Sequence, residues 1–129
     1  FINQASNYAN NRILFDAPIS KNQGIQFPIS KSYAHMKAAE LMVHHAAEKF
    51  DSGVNDGESA NIAKLLAADA SWMAAEACLQ TFGGFGFAEE YDVERKYRET
   101  RLYQVAPIST NMILSYIAEK ILGMPKSYG

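Results

Sequence analysis

The chain has 129 residues, 48% of them hydrophobic, which is enough for one core and too short for two ordinary domains. Twelve basic and 14 acidic residues give a net charge of −2, which argues against a nucleic-acid-binding arm or a polybasic membrane surface. Cys78 is the single cysteine, so we expect no internal disulfide and a reducing compartment, the cytoplasm or the mitochondrial matrix. The sequence begins with Phe1 rather than methionine, and we expect it to be a piece of a larger protein.

The first half of the chain predicts two helices. Residues 1–11 form the tail of one helix, and a non-helical link follows around Pro18, because residues before proline avoid the α region. A long helix is predicted over residues 22–51, ending at Gly53. Pro28 fits either the first turn of a helix that starts near Phe27 or a kink inside a longer helix. The apolar residues at helical spacing predict the buried face: Ile25, Ile29, Tyr33, Met36, Leu41, Val43 and Ala47.

The second half predicts further helices and no strand. The residues Asn55 to Glu58 resemble a capping box with Asn55 as the cap, and the helix they begin runs to Phe82. Gly83 and Gly84 stop it, and shorter helices are predicted over 92–101 and 108–122. No segment alternates at period two over five residues, so the predicted fold class is all-α, with antiparallel helices in a bundle.

Histidines and the cysteine do not predict a metal or nucleophile site. Glu40 and His44 are four residues apart rather than the three of a carboxylate-bridged metal bundle, and no second helix carries a histidine. We therefore predict no metal. Cys78 has no histidine near it in sequence and is predicted to be a small buried hydrophobe.

The glycine-rich segment 80–87 is the sharpest feature of the sequence. It is not a dinucleotide-binding loop, because Glu89 stands where the third glycine belongs and a helix precedes the glycines instead of a strand. A helix stop explains one or two of the glycines. Bare backbone at Gly83 and Gly84 would also let a ligand or a partner chain come close, and both interpretations stay open on composition alone.

Three motifs together resemble the C-terminal domain of acyl-CoA dehydrogenases. The segment 80–86 matches the family pattern Q-x-x-G-G-x-G, the segment 90–95 matches E-Y-x-V-E-R, and the segment 98–104 follows R-D-x-x-I-x-Q closely. Their order and spacing agree without a gap. Weaker matches upstream, among them Arg12 and Phe15, extend the resemblance over nearly the whole chain.

The resemblance implies a fold, a cofactor and partners. The fold is an up-down-up-down four-helix bundle, residues 1–129 being a single C-terminal domain that follows a helical and a β domain. The cofactor is FAD, the substrate an acyl-CoA thioester oxidised at its Cα–Cβ bond, and the electron acceptor a carrier flavoprotein. The assembly is a dimer of dimers in which each bundle helps to bind a neighbour's flavin, with no nucleic acid and no membrane span.

The resemblance also implies cofactor-binding residues. Arg12 would face the FAD pyrophosphate, which suits a guanidinium, and Phe15 would pack near the adenosine. Gln80, Gly83 and Gly84 would line the adenosine-diphosphate half of the same cofactor, across the subunit interface.

Weaker matches to the family pattern add further cofactor positions. By the resemblance, Ile19 and Gln23 would lie near the same cofactor. Ser109 and Asn111 fall where the family has a threonine and a glutamine near the flavin of their own subunit.

The chain departs from the family at the usual catalytic base. Many members read Y-E-G-T after the glutamine pair, and their glutamate removes the α-proton, whereas this chain has Pro107 at that position. Proline cannot accept a proton, so no catalytic residue is predicted in this chain. Glu94 and Glu99 match positions common to the family and are interpreted as structural. We expect the base to lie upstream of Phe1 or to be altered.

Two alternatives stay open for the parent protein. It could be a catalytically silent helical module kept for assembly, or a flavin enzyme that acts on another substrate or passes electrons directly to oxygen. We expect the isolated 129 residues to be inactive, because the middle domain and most of the acyl pocket are missing. We also expect them to associate through exposed apolar surface.

Overall fold

The structure is a computed structural model that describes residues 1–127. It confirms the all-α fold class. The helices are α1 (Ile2–Asn11), α2 (Gln23–Asp51), α3 (Gly57–Phe82), α4 (Val93–Thr100), α5 (Leu102–Val105) and α6 (Thr110–Tyr116). One 3-10 segment, Ile19–Lys21, precedes α2, and two more, Gly83–Phe87 and Glu89–Tyr91, follow α3. A π turn at Ile117–Ile121 follows α6.

The four legs of the bundle alternate in direction. Side chains at the start of α1 lie near Ala70 of α3, whereas Tyr8 at its other end stacks on Phe82, so α1 and α3 run parallel. The long helix α2 runs in the opposite direction to both, and a short connection at residues 52–56 joins it to α3. The fourth leg, α4–α6, runs back along α3 from Tyr97 to Tyr116, whose hydroxyl lies beside Gly57. The predicted up-down-up-down four-helix bundle is confirmed.

The predicted link near Pro18 contains a small hairpin. Strands β1 (Ile13–Leu14) and β2 (Ala17–Pro18) pair antiparallel, with Ile13 opposite Pro18. Phe15 and Asp16 form the turn with φ of 51° and 60°, the left-handed pair that a tight hairpin requires. Two-residue strands are too short to give an alternating pattern, so the sequence carried no signal for them.

The central helix α3 is buried on most of its sides. The fully packed residues are small and lie all around the helix: Ser59, Ala63, Ala68, Ala70, Ala74, Ala75, Ala77, Cys78 and Thr81. Alanine at these positions lets α1, α2 and the fourth leg approach α3 closely. A core of Ala5, Cys78, Phe82 and Val93 joins α1 to the start of α4.

The buried face of α2 differs in part from the prediction. Tyr33, Leu41 and Val43 were assigned to it, but their side chains are 50%, 72% and 44% exposed. The packed side instead includes Ser32 and Ala39, since small residues permit the close contact with α3. Pro28 lies inside α2, and the longer-helix interpretation is the correct one.

Two helix ends also differ from the prediction. Asp56, not Asn55, is the N-cap of α3, because its carboxylate accepts from the Glu58 backbone N–H at 3.0 Å. The last predicted helix, over 108–122, begins after Ser109, whose hydroxyl accepts from the Met112 N–H at 3.3 Å, and its last turn, Ile117–Ile121, is a π turn. Within residues 1–127, no helix has the length and apolarity that crossing a bilayer requires.

Candidate functional site

A cleft of about 550 Å³ lies at the C-terminal end of α3 and is called the glycine cleft here. The end of α1, the hairpin, the start of α2 and the glycine-rich turn form its walls. Its lining residues are Tyr8, Arg12, Leu14, Ile19, Asn22, Ile25, Thr81, Phe82, Gly83, Gly84 and Phe85. The fold therefore brings together two segments of sequence, near residues 8–25 and 81–85, that are far apart along the chain.

Gly83 makes the turn that ends α3. Its φ of 58° and ψ of −132° are rarely adopted by residues with a side chain, and its N–H still reaches the carbonyls of Leu79 and Gln80. A Cβ added at Gly83 meets nothing within 4 Å, so backbone conformation is the requirement here.

Gly84 and Gly86 have different surroundings. A Cβ added at Gly84 meets nothing within 4 Å, and the residue has no positive φ, so neither packing nor conformation within the described residues requires a glycine there. A Cβ at Gly86 would lie 2.9 Å from both the Leu79 carbonyl oxygen and the Leu79 side chain. Gly86 is thus required by packing, whereas Gly84 leaves bare backbone facing the open cleft.

Aromatic side chains pack against the glycine turn and connect it to α1. Tyr8 stacks on Phe82 with ring centroids 4.0 Å apart, and Tyr91 packs edge-on against Phe82 at 5.4 Å. Phe85 lies 5.5 Å from Tyr91 and remains 43% exposed. This cluster fixes the glycine turn relative to α1 and leaves the Phe85 ring as the exposed aromatic side chain of the cleft.

Arg12 supplies the positive charge of the cleft. Its backbone is held at both sides, since its N–H donates to the Tyr8 carbonyl and its carbonyl accepts from Ile19 N–H. The guanidinium lies 5.3 Å from the centre of the Phe85 ring. Among residues 1–127 no carboxylate pairs with it. The cleft therefore presents an exposed guanidinium beside bare glycine backbone, a combination suited to an anionic group such as a phosphate.

The other residues expected near FAD are spread over the cleft and the surfaces beside it. Ile19 lines the glycine cleft, as Arg12 does. Phe15 is fully exposed at the hairpin turn, and Gln23 is exposed at the start of α2. Gln80 is exposed one turn before the glycines and lines a neighbouring groove between α2 and α3.

Ser109 and Asn111 lie away from the glycine cleft. Ser109 caps α6, and Asn111 is exposed in its first turn. The preceding segment is attached to the middle of α3, where the Gln104 amide donates to Asp69 at 3.2 Å. The structure thus separates these two residues from Gly83 and Gly84, on the same side of the molecule as Pro107.

The carboxylates of α4 are engaged in ion pairs. Glu94 pairs with Arg98 at 2.9 Å and Glu99 with Arg95 at 2.5 Å. These contacts agree with their interpretation as structural residues. The Cys78 thiol is fully buried, and burial raises its pKa, which keeps it protonated and unreactive. The part of the chain that the structure describes holds no group of three His, Cys, Asp or Glu that could bind a metal.

Several cleft residues were not singled out from the sequence. Asn22, Ile25, Thr81 and Phe82 line the cleft although no motif marked them as binding residues. The sequence did carry one signal, since three phenylalanines alternate with the glycines of this turn. Several aromatic residues in so short a segment indicate a turn that is fixed by packing. Their partner Tyr8 is too distant in sequence for any local pattern to reveal it.

Comparison with known proteins identifies the family. The family model described as "Acyl-CoA dehydrogenase, C-terminal domain" matches residues 1–122. The chain belongs to the acyl-CoA dehydrogenase family and corresponds to its C-terminal domain.

Individual relatives support the same assignment. The chain is 36% identical over 129 residues to the acyl-CoA dehydrogenase FadE12 of Mycobacterium tuberculosis, covering 98% of this chain and 33% of that protein. It is 37% identical over 121 residues to an acyl-CoA dehydrogenase of Bacillus subtilis, covering 94% and 32%. The solved complex of glutaryl-coenzyme A dehydrogenase with glutaryl-CoA superposes with a TM-score of 0.91 at 31% identity, covering 98% and 32%. The chain thus spans about a third of the length of the curated relatives it matches.

Proposed function

We propose that this chain is the FAD-binding and oligomerising C-terminal domain of a longer acyl-CoA dehydrogenase-like oxidoreductase. The observation that carries the proposal is that Gly84, whose bare backbone faces open space, shares a cleft with the guanidinium of Arg12, which forms no ion pair among residues 1–127. Within residues 1–127 nothing requires glycine at position 84, so a group from outside this part of the chain explains it best.

The residues of the glycine cleft fit the adenosine-diphosphate half of FAD. The guanidinium of Arg12 suits a diphosphate, and Gly83 and Gly84 let a ligand approach the backbone closely. The Phe85 ring, half-exposed beside Arg12, offers an apolar surface for the remainder of the ligand. When bound, FAD supplies the acceptor for the hydride removed from the acyl thioester, and the residues of this chain bind and orient it.

Exposed apolar residues support the oligomerising role. Phe27, Leu41 and Phe50 on α2 are 60%, 72% and 77% exposed, although α2 is a long helix with one side packed on α3. Apolar surface of this extent on a single helix is typical of a subunit contact. The acyl-CoA substrate, the carrier flavoprotein and the dimer-of-dimers arrangement belong to the same proposal.

The catalytic base is proposed to lie outside this chain. Pro107 stands at the usual base position, and Glu94 and Glu99 are engaged by arginines. Pro107→Glu in the full-length protein should leave dehydrogenation of an acyl-CoA unchanged, whereas a large gain in rate would sink the upstream-base proposal.

The same proline supports a second candidate, a catalytically silent assembly module. Flavin content separates the two. A parent protein that purifies yellow and is bleached by an acyl-CoA is the enzyme, and a colourless oligomer is the silent module.

Binding of FAD by Arg12 variants tests the proposed function. The full chain is titrated with FAD by calorimetry, and Arg12→Ala is expected to raise the dissociation constant about tenfold or more, because a charge-assisted contact to phosphate is lost. Arg12→Lys should recover only part of the affinity, since an ammonium lacks the planar fork. The matched control is Arg98→Ala, which removes an exposed arginine of α4 outside the cleft. Equal affinity for the wild type and Arg12→Ala would contradict the proposed cofactor site.

A further inference from the structure

The Arg12 side chain reaches the glycine cleft without a charged partner to hold it. Of the described residues that line the cleft, Arg12 alone carries a charge, and none of the ion pairs within residues 1–127 includes it. Hydrogen bonds to Tyr8 and Ile19 fix its backbone, but an arginine side chain populates many rotamers unless a contact restrains it. A guanidinium that binds an anion therefore needs a restraint that leaves its N–H donors free.

The Phe85 ring is placed to supply that restraint. The guanidinium carbon of Arg12 lies over the ring, 5.3 Å from its centre. A cation over the face of a ring is attracted by the ring quadrupole, and this contact uses no N–H donor in a hydrogen bond. A carboxylate at the same place would pair with those donors and compete with a phosphate. The ring thus holds the charge without neutralising it.

Phe85 is itself fixed by neighbouring residues. Its ring centroid lies 5.5 Å from that of Tyr91, which in turn packs edge-on against Phe82 at 5.4 Å. The Tyr91 carbonyl accepts a hydrogen bond of 2.8 Å from the Gln4 side-chain amide, which connects this part of the chain to α1. The next residue in sequence, Gly86, is buried. The ring is therefore held in place before any ligand is present.

Phe87 belongs to the same 3-10 segment and has a different environment. Its side chain is 75% exposed, and it does not line the glycine cleft. Phe85 and Phe87 share residue type and local structure, and they differ in their relation to Arg12. Phe87 is therefore a matched control for any role of the Phe85 ring.

We propose that Phe85 is a positioning residue, whose ring holds the Arg12 guanidinium in the glycine cleft so that it meets the diphosphate of FAD. The inference rests on the proposed function and deepens it, because it assigns a role to a residue that acts through Arg12. A side chain that is restrained before binding loses less conformational entropy when the ligand arrives, and this raises affinity.

A double-mutant cycle tests the positioning role. The affinity of the full chain for FAD is measured by calorimetry in the wild type, Phe85→Leu, Arg12→Ala and the double variant. Leucine keeps an apolar side chain at the cleft and removes the ring face, so we expect Phe85→Leu to raise the dissociation constant about threefold to fivefold. When Arg12→Ala is already present, the same substitution should change the dissociation constant by less than about twofold, because the charge that the ring holds is gone.

Two single variants check that the ring face is the cause. Phe85→Tyr retains an aromatic ring and should bind FAD within about twofold of the wild type. Phe87→Leu removes a ring from the same turn outside the cleft and should leave the affinity unchanged. Circular dichroism of each variant shows that the helices are retained.

Arginine side-chain NMR provides a readout that needs no ligand. The ring current of Phe85 shifts protons above its face upfield, so the Nε–H signal of Arg12 should move downfield in Phe85→Leu and stay in place in Phe87→Leu. The loss of this signal in Arg12→Lys assigns it. An Arg12 signal that is the same in the wild type and Phe85→Leu would contradict the contact between the ring and the guanidinium.

The outcomes of the cycle separate the positioning role from the proposed function. Losses of affinity that multiply in the double variant would show that the ring and the guanidinium act independently. Unchanged FAD binding by Phe85→Leu, when Arg12→Ala weakens it, would show that the ring does not position the charge. Either result overturns the positioning role and leaves the FAD site standing, whereas a wild-type chain that binds no FAD contradicts both.

Discussion

The two ends of α3 are built in opposite ways. At its start, the Asp56 carboxylate accepts from the Glu58 N–H, accepts from the Ser59 hydroxyl and pairs with Lys49 of α2. At its end, Gly83 turns the chain with a φ of 58° and Gly84 faces open space. The first end is held by side chains of this chain, whereas the second end is capped by the Gly83 N–H alone and, within residues 1–127, leaves the Gly84 backbone uncovered.

This contrast separates the residues of α3 that stabilise the fold from those that could bind a ligand. A helix start whose donors are satisfied within the chain contributes to folding. A helix end that exposes bare backbone beside an unpaired guanidinium is where a ligand from outside can be held. Substitutions at the start should therefore change stability, whereas a substitution at Gly84 should change binding alone.

The largest effect on stability is expected at Gly86, the packed glycine of the turn. Gly86→Ala places a methyl group 2.9 Å from the Leu79 carbonyl oxygen, and overpacking of this kind costs about 1–3 kcal/mol. Urea unfolding measures the loss. A variant as stable as the wild type would show that the turn is not packed against Leu79 and would remove the contrast between Gly84 and Gly86.

A smaller effect is expected at Asp56, and it depends on pH. The hydrogen bond from Lys49 is the main cause that holds the Asp56 pKa well below its usual 3.8, and the Ser59 hydroxyl adds to it. Because the folded-state pKa is depressed, this stabilisation is present above about pH 3.8 and is lost as the pH falls through the folded-state pKa.

Asp56→Asn tests this contribution by thermal unfolding. We expect a melting temperature a few degrees lower at neutral pH and a weaker fall of stability below pH 3.8. Asp51→Asn, at the exposed end of α2, is the matched control. Identical acid unfolding of the wild type and Asp56→Asn would show that the Asp56 contacts add nothing to stability.

The smallest effect is expected at Asn55, which the sequence indicated as the cap of α3. Asp56 has that role in the structure, so Asn55→Ala should change the free energy of unfolding by no more than about 0.5 kcal/mol. A loss as large as that of a true cap, about 1 kcal/mol, would move the helix start back to Asn55.

Much of the fold could be predicted because glycines follow the ends of α2 and α3 and a capping pattern precedes α3. The limits of α2 and α3 agree with the predicted 22–51 and 55–82 to within about two residues. The prediction of the buried face of α2 was partly wrong, and the reason is physical. Hydrophobic spacing reports every apolar face of a helix, and Leu41 belongs to a face that this chain leaves exposed.

The candidate site could be predicted only as separate pieces. The motif drew attention to Gly83 and Gly84, and the resemblance to Arg12, but only the fold brings these residues to one cleft. The sequence also gave no means to distinguish Gly84 from Gly86, because the difference lies in the distance from each Cβ position to Leu79.

Flavin binding by Gly84→Ala is the most direct test of the account. A methyl group at this position meets nothing within 4 Å, so the variant should unfold at the same urea concentration as the wild type and yet bind FAD more weakly, by about tenfold or more. Gly24→Ala is the matched control, since it adds the same methyl group in open space at a residue that does not line the cleft. Weakened FAD binding by Gly84→Ala alone, at unchanged stability, is the predicted result, and equal FAD affinity in all three proteins would contradict it.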